Sequence, residues 1–198
     1  GAVTRNDPDK KPFLTAVRNS GAELIFFPLF QPDGNALLQQ GRKAPGFEKM
    51  IFMSDGALID ASFLAAVRED ALGMHFVSPA PPAPGAALDS LAADYRAKYG
   101  TDAPTIYYIS AFDAANILFS ALEKTARELP GGGLRIGRQA LRNAMYATKR
   151  FPGVSGELSC DEFGDCAIQR FNVLRFDDLD AGVEGLKRNI VFTYPPAS

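Results

Sequence analysis

Apolar residues fall in short blocks separated by polar, Gly- or Pro-containing breaks, and the blocks alternate between helical and strand patterns. Phe13, Leu14 and Val17 lie at helical spacing, with Asn6 or Asp7 ahead of Pro8 available as a cap. Glu23-Leu24-Ile25-Phe26-Phe27-Pro28-Leu29-Phe30 carries a continuous apolar run, the signature of a strand buried on both faces. Gln31-Pro32-Asp33-Gly34 breaks it, and Ala36, Leu37 and Gln40 open a short helix that ends near Gly41. Lys49-Met50-Ile51-Phe52-Met53-Ser54 predicts a second strand, closed by Asp55-Gly56. Phe63, Ala66 and Val67 mark the next helix, and Gly73-Met74-His75-Phe76-Val77-Ser78 a third strand. An αβαβαβ order over the first 80 residues predicts an α/β fold with a parallel, Rossmann-like sheet and helices on both faces.

Pro79-Ala80-Pro81-Pro82-Ala83-Pro84-Gly85 then interrupts the pattern, because closely spaced prolines continue neither a helix nor a central strand. It reads as a boundary or crossover. Beyond it, Leu88, Leu91, Ala92, Tyr95 and Tyr99 stripe one helix, and Tyr108, Phe112, Ala115, Phe119 and Leu122 another. Gly131-Gly132-Gly133 reads as a helix-to-helix linker, since a phosphate loop needs a preceding strand and further motif residues. Ile136, Ala140, Leu141, Ala144 and Met145 mark a further helix. Phe171 to Phe176 predicts a strand, and Ile190 to Tyr194 a short edge strand.

Composition narrows the function. The 21 basic and 23 acidic side chains give a net charge of -2, which argues against a fold-wide pull toward nucleic acid or anionic lipid. A single histidine, His75, rules out multi-histidine metal sites and lies inside an apolar strand pattern, where a structural role is the natural reading. No nucleophile, metal or cofactor motif is legible, so an enzyme is disfavoured and no cofactor is expected. The opening Gly1-Ala2-Val3-Thr4-Arg5 is not a signal peptide.

Cys160 and Cys166 bracket Asp161-Glu162-Phe163-Gly164-Asp165, a stretch rich in turn formers and flanked by strand-like residues. This predicts a hairpin with the cysteines facing each other across its mouth. A disulfide there favours an oxidising, extracytoplasmic home, and two free thiols in a reducing compartment are the alternative.

In open α/β sheets, ligands bind beyond the carboxyl ends of the strands. Phe30 and Asp55 stand at two such ends. Asp55 suits a ligand ammonium, and Phe30 suits the ligand's apolar part. Asp55 serves equally well as the N-cap of a helix over Leu58 to Val67. If Tyr108 faces the core, Tyr107 is the better cleft residue.

Four stretches in this order resemble the C-terminal portion of the branched-chain amino acid-binding family, the type I periplasmic substrate-binding proteins of ABC transporters. They are Gly21 to Phe27; Met53-Ser54-Asp55-Gly56-Ala57-Leu58; Tyr95-Arg96-Ala97-Lys98-Tyr99-Gly100 with Ser110-Ala111-Phe112-Asp113-Ala114-Ala115; and Phe151-Pro152-Gly153-Val154-Ser155-Gly156-Glu157-Leu158-Ser159 leading into Asp161-Glu162-Phe163-Gly164-Asp165. The resemblance implies two Rossmann-like lobes, incomplete in this chain, that close on a ligand by a hinge. Residues 1–80 would form the rear part of the second lobe. Residues 81–166 would form the rear part of the first, and residues 167–198 would cross back with a return strand. It implies non-catalytic capture of a small amino acid or related amide, with Asp55 on the ammonium and with Phe30 and Tyr107 as aromatic walls. A membrane permease would be the partner and the periplasm the location. It also implies that the chain is a piece of a longer protein, whose open sheets would need another chain, as in a swapped or intimate dimer. A ligand-sensing regulator or receptor ectodomain on the same fold is the alternative, with an α/β enzyme behind it.

Overall fold

A computed structural model describes residues 1–167 and 169–195. In chain order it contains α1 (Lys11–Ser20), β1 (Leu24–Phe26), α2 (Asp33–Arg42), β2 (Ile51–Ser54), a 3-10 turn at Gly56–Leu58, α3 (Ala61–Val67), a second 3-10 turn at Arg68–Ala71 and β3 (His75–Pro79). Next come α4 (Ala86–Tyr99), α5 (Tyr107–Thr125), β4 (Arg127–Glu128), β5 (Leu134–Arg135), α6 (Arg138–Tyr146), β6 (Phe151–Gly153) and β7 (Gly156–Leu158). β8 (Phe171–Arg175), α7 (Gly182–Arg188) and β9 (Ile190–Tyr194) complete the order. The chain divides into two compact units, Gly1–Ala80 with Arg170–Ser198, and Pro81–Gln169.

The first unit is built on a five-stranded sheet in the order β1-β2-β3-β8-β9. β1, β2 and β3 run parallel, β8 runs antiparallel to β3, and β9 runs antiparallel to β8. Strand alternation sends Ile25, Phe52, Phe76 and Leu174 to one face, where each is buried. They form one core with Leu14 of α1, Leu37 and Leu38 of α2, Phe63 and Val67 of α3, and Leu186 of α7. Edge-on ring contacts join Phe27 to Phe52 at 6.3 Å and Phe63 to Phe76 at 6.2 Å. Gly41 lets α2 lie close to the sheet, since a Cβ there would stand 2.6 Å from the Phe52 ring.

The other face of this sheet departs from the sequence expectation. Leu24, Phe26, Ile51 and Phe192 remain 43%, 52%, 42% and 48% exposed. Met53, Val77 and Val173 beside them are half-buried. The buried core gathers on a single face, so the apolar run around β1 is not buried on both sides. The strand is also shorter than its run, because Pro28 has no N–H to continue the ladder. Neither Asn6 nor Asp7 caps α1; the Lys11 N–H donates to Asp9 Oδ1 instead.

In the second unit, the stripe expected on α5 is not the buried one. Ile109, Asp113, Ile117 and Ala121 are buried, while Phe112 and Phe119 are 44% and 58% exposed. α5 is apolar on more than one side, so periodicity alone does not select its core face. The selection is made by Asp113, whose carboxylate accepts the N–H groups of Val154 and Ser155 at 2.7 and 2.9 Å and the Ser155 hydroxyl at 2.5 Å. This bond set fixes the turn between β6 and β7 onto α5. The stripe on α4 buries no residue fully; its Tyr95 ring packs on Tyr99 and Tyr108. Gly131 to Gly133 is not a helix linker but the tip of the β4–β5 hairpin, where Gly131 and Gly132 take φ of 102° and 89°.

The one-sided core makes a contrast that denaturant unfolding of this chain reads directly. Phe52→Ala is expected to cost about 3–5 kcal/mol, and Phe26→Ala, on the uncovered face, less than about 1 kcal/mol. Equal losses would contradict a single-sided core. Asp113→Ala is expected to cost about 2 kcal/mol, because it leaves the part-buried donors of Val154 and Ser155 without their acceptor.

Candidate functional site

The carboxyl ends of β1 and β2 lie side by side in parallel register, with Leu24 beside Ile51 and Phe26 beside Met53. The pairing continues one residue further, where the Phe27 N–H donates to Met53 O at 2.9 Å. Buried Ser54 locks the two ends together by donating its hydroxyl to Phe27 O at 2.9 Å. The loops that leave this edge carry two of the residues singled out in the sequence.

Phe30 lies in the loop between β1 and α2 and is 75% exposed. Its loop is held from both sides. Gln31 Nε2 donates to Ser62 Oγ at 2.9 Å, and Gln31 Oε1 accepts from Asn35 Nδ2 at 3.2 Å. Asn35 Oδ1 is buried and accepts no hydrogen bond among the described residues. Sequence reading passed over Asn35. Its place in the first turn of the helix that follows a strand end was the available signal.

Asp55 is half-buried at the end of β2. Its Oδ1 accepts the Ala57 N–H at 3.2 Å and so caps the short 3-10 turn at Gly56–Leu58. It does not cap the longer helix. That role belongs to Asp60, which accepts the N–H groups of Ser62 and Phe63 at the start of α3. The hydrogen bond from the Ser62 hydroxyl, aided by these N–H groups, holds the Asp60 carboxyl below its ordinary range against the opposing effect of burial.

α2 begins at a buried ion pair. Lys10 is 1% exposed, and its Nζ donates to Asp33 Oδ1 at 2.7 Å and to Thr4 O at 3.1 Å. The Asn6 N–H adds a further bond to the Asp33 carboxylate. Gln40 completes the tie, accepting from the Lys10 N–H and donating to Pro8 O. Residues 4–10 are thereby fastened along α2, whose first turn follows the Phe30 loop. Sequence reading did not single out Lys10, and no local pattern marks it.

Tyr107 belongs to the second compact unit, where it is the first residue of α5 and is 43% exposed. Cys160 and Cys166 form a disulfide. They do not bracket a strand hairpin, however. The hairpin is β6–β7, upstream, and the disulfide closes the irregular loop that follows it. The reason lies in Asp161, which accepts the N–H groups of Phe163 and Asp165 and so turns the chain within a few residues. Among the described residues, no group of three or more His, Cys, Asp or Glu side chains is placed to hold a metal ion. No helix there is long and apolar enough to cross a membrane.

The Asp33 carboxyl is held below its ordinary range, first by the hydrogen bond from Lys10 and then by the Asn6 N–H. A depressed folded-state value means stability that is present above the unfolded value near 4 and is lost as pH falls through the folded one. Urea unfolding between about pH 5 and pH 3 tests this. The Asp33→Asn variant is expected to lose less stability across that interval than the parent chain, and an identical pH profile would contradict the pairing.

The arrangement matches known binding proteins. The family model described as periplasmic binding protein matches residues 2–181. The Leu/Ile/Val-binding protein homolog 3 of Brucella melitensis is 23% identical over 178 residues, spanning 89% of this chain and 45% of its own length. A leucine-binding protein of Thermotoga maritima superposes with a TM-score of 0.63 at 20% identity, over 89% of this chain and 48% of that one. A solute-binding protein of an R. palustris ABC transporter, solved with benzoate, superposes with a TM-score of 0.56 at 14% identity, over 97% and 48%. This chain therefore spans about half the length of these relatives. With an α/β fold, parallel strands ending at an exposed loop edge and a family match over most of its length, the chain belongs to the periplasmic binding protein family.

Proposed function

We propose that the chain supplies part of a solute-binding protein that captures a small amino acid or related amide for an ABC transporter, outside the cytoplasm and without chemical change. The observation that carries this reading is the Phe30/Asp55 pair at adjacent parallel strand ends, the place where open α/β sheets take ligands. Asp55 uses Oδ1 for its local cap, and the carboxylate retains acceptor capacity for a ligand ammonium. Phe30 supplies an exposed aromatic surface. Asn35 Oδ1 is a buried acceptor for a second ligand donor. Tyr107, exposed at the start of α5, is the aromatic candidate for ligand contact within the second unit.

On this reading, residues 1–80 with the strand returned by residues 167–198 are the rear part of one lobe, and residues 81–166 the rear part of the other. A membrane permease is the transport partner. The uncovered sheet face supports the view that more protein packs there, since parallel sheets are normally covered on both faces.

A second reading is capture of an aromatic carboxylate, favoured by the benzoate bound to the R. palustris relative. Asp55 separates the two, because a carboxylate attracts an ammonium and repels an anion. Calorimetric titration of the protein with leucine, leucinamide and benzoate decides between them. Asp55→Asn is expected to weaken amino-acid binding roughly ten- to hundred-fold, the worth of about 1.5–3 kcal/mol for a charge-assisted hydrogen bond. Tighter benzoate binding together with unchanged leucine binding in that variant would overturn the ammonium role.

A further inference from the structure

Two surface features in different units have complementary chemistry. The first is the disulfide-closed loop. Phe163 at its tip is 80% exposed, more than any other large apolar residue among those described. The loop is nevertheless held firmly at its base. The Cys160 N–H donates to Thr148 O, Lys149 Nζ donates to Cys160 O, and the Arg150 N–H donates to Ser159 Oγ. The Asp161 carboxylate fixes the tip through Phe163 and Asp165, and Gly164 lies against the Tyr146 ring. An aromatic ring is thus displayed on a rigid support, flanked by exposed Asp161, Glu162 and Asp165. Rigid display lowers the ordering cost of binding.

The second feature is a cavity of about 370 Å³ between α1 and the end of α2. Leu14, Pro45 and Phe47 make its floor, and Lys11, Arg18 and Lys43 stand at its rim. Leu14 and Phe47 are buried, and the three cations are exposed. None of these cations is ion-paired among the described residues. Lys11 and Arg18 are seven positions apart on α1, about two helical turns, and Lys43 stands on the same cavity at the C-cap of α2. Two carboxylates nearby in sequence, Asp9 and Glu48, accept backbone N–H groups of Lys11 and Gly46. A rim of unpaired positive charge around an apolar floor is unusual for a chain whose net charge is -2.

We infer that Phe163 of one copy seats in the α1–α2 cavity of a second copy, with Asp161, Glu162 and Asp165 facing Lys11, Arg18 and Lys43. The occupant is a second copy because one polypeptide carries both halves of the match: an apolar tip with acidic flanks and an apolar floor with a basic rim. The contact is small and rim-charged, so the association is weak and salt-sensitive. It is independent of the ligand reading above.

Sedimentation velocity of this chain, over a concentration series at low and high salt, tests the contact. The expected result is concentration-dependent association at low salt that weakens as salt is raised. Phe163→Ser and the double variant Arg18→Glu/Lys43→Glu are each expected to shift the chain to monomer at concentrations where the parent associates. Circular dichroism should remain unchanged in both, since the altered side chains are exposed. Adding Glu162→Lys and Asp165→Lys to the Arg18→Glu/Lys43→Glu variant is expected to recover association, because the charges then match in exchanged positions. A monomer at every concentration would leave loop and cavity to a different partner and overturn the proposal. Association that survives Phe163→Ser would also overturn it, by placing the contact elsewhere, such as the uncovered sheet face.

Discussion

The first unit depends on the packing of one sheet face against four helices. Ile25, Phe52, Phe76 and Leu174 form a continuous apolar row across four strands, and α1, α2, α3 and α7 all bury side chains against it. That row sets the register of β1 and β2. Register in turn determines that the loops bearing Phe30 and Asp55 leave from neighbouring positions. The strand-end edge is thus a consequence of the core rather than a separate construction. Ser54, buried between the two strand ends, converts the register into a fixed spacing.

The opposite sheet face gives the same argument in reverse. Leu24, Phe26, Ile51 and Phe192 have the side chains of a core and the exposure of a surface. A similar pattern recurs on α5, where Phe112 and Phe119 project from a helix whose buried side is defined by Asp113. Exposed apolar faces of this kind mark contact surfaces.

Much of this was legible in the sequence, and what was not has physical causes. The alternation of strands and helices through β3 is carried by local periodicity, and the strand-end placement of Phe30 and Asp55 follows from it. The sidedness of the sheet was illegible, because an apolar run looks the same whether its second face is covered within the chain or left open. The core face of α5 was misread because the deciding residue is a carboxylate, Asp113, buried through bonds to residues some forty positions away. Lys10 was missed for the same reason: its partner Asp33 is remote in sequence. The cysteines were read correctly as a pair and wrongly as a strand hairpin, because Asp161 closes the turn through side-chain acceptance that no strand pattern encodes.

The account as a whole is tested most directly by residue-resolved NMR of the isotopically labelled chain titrated with leucine. Shifts concentrated at the β1–α2 loop around Phe30 and at Asp55 to Ala57 are the predicted result. Saturable shifts confined to other surfaces, with those two segments silent, would contradict it.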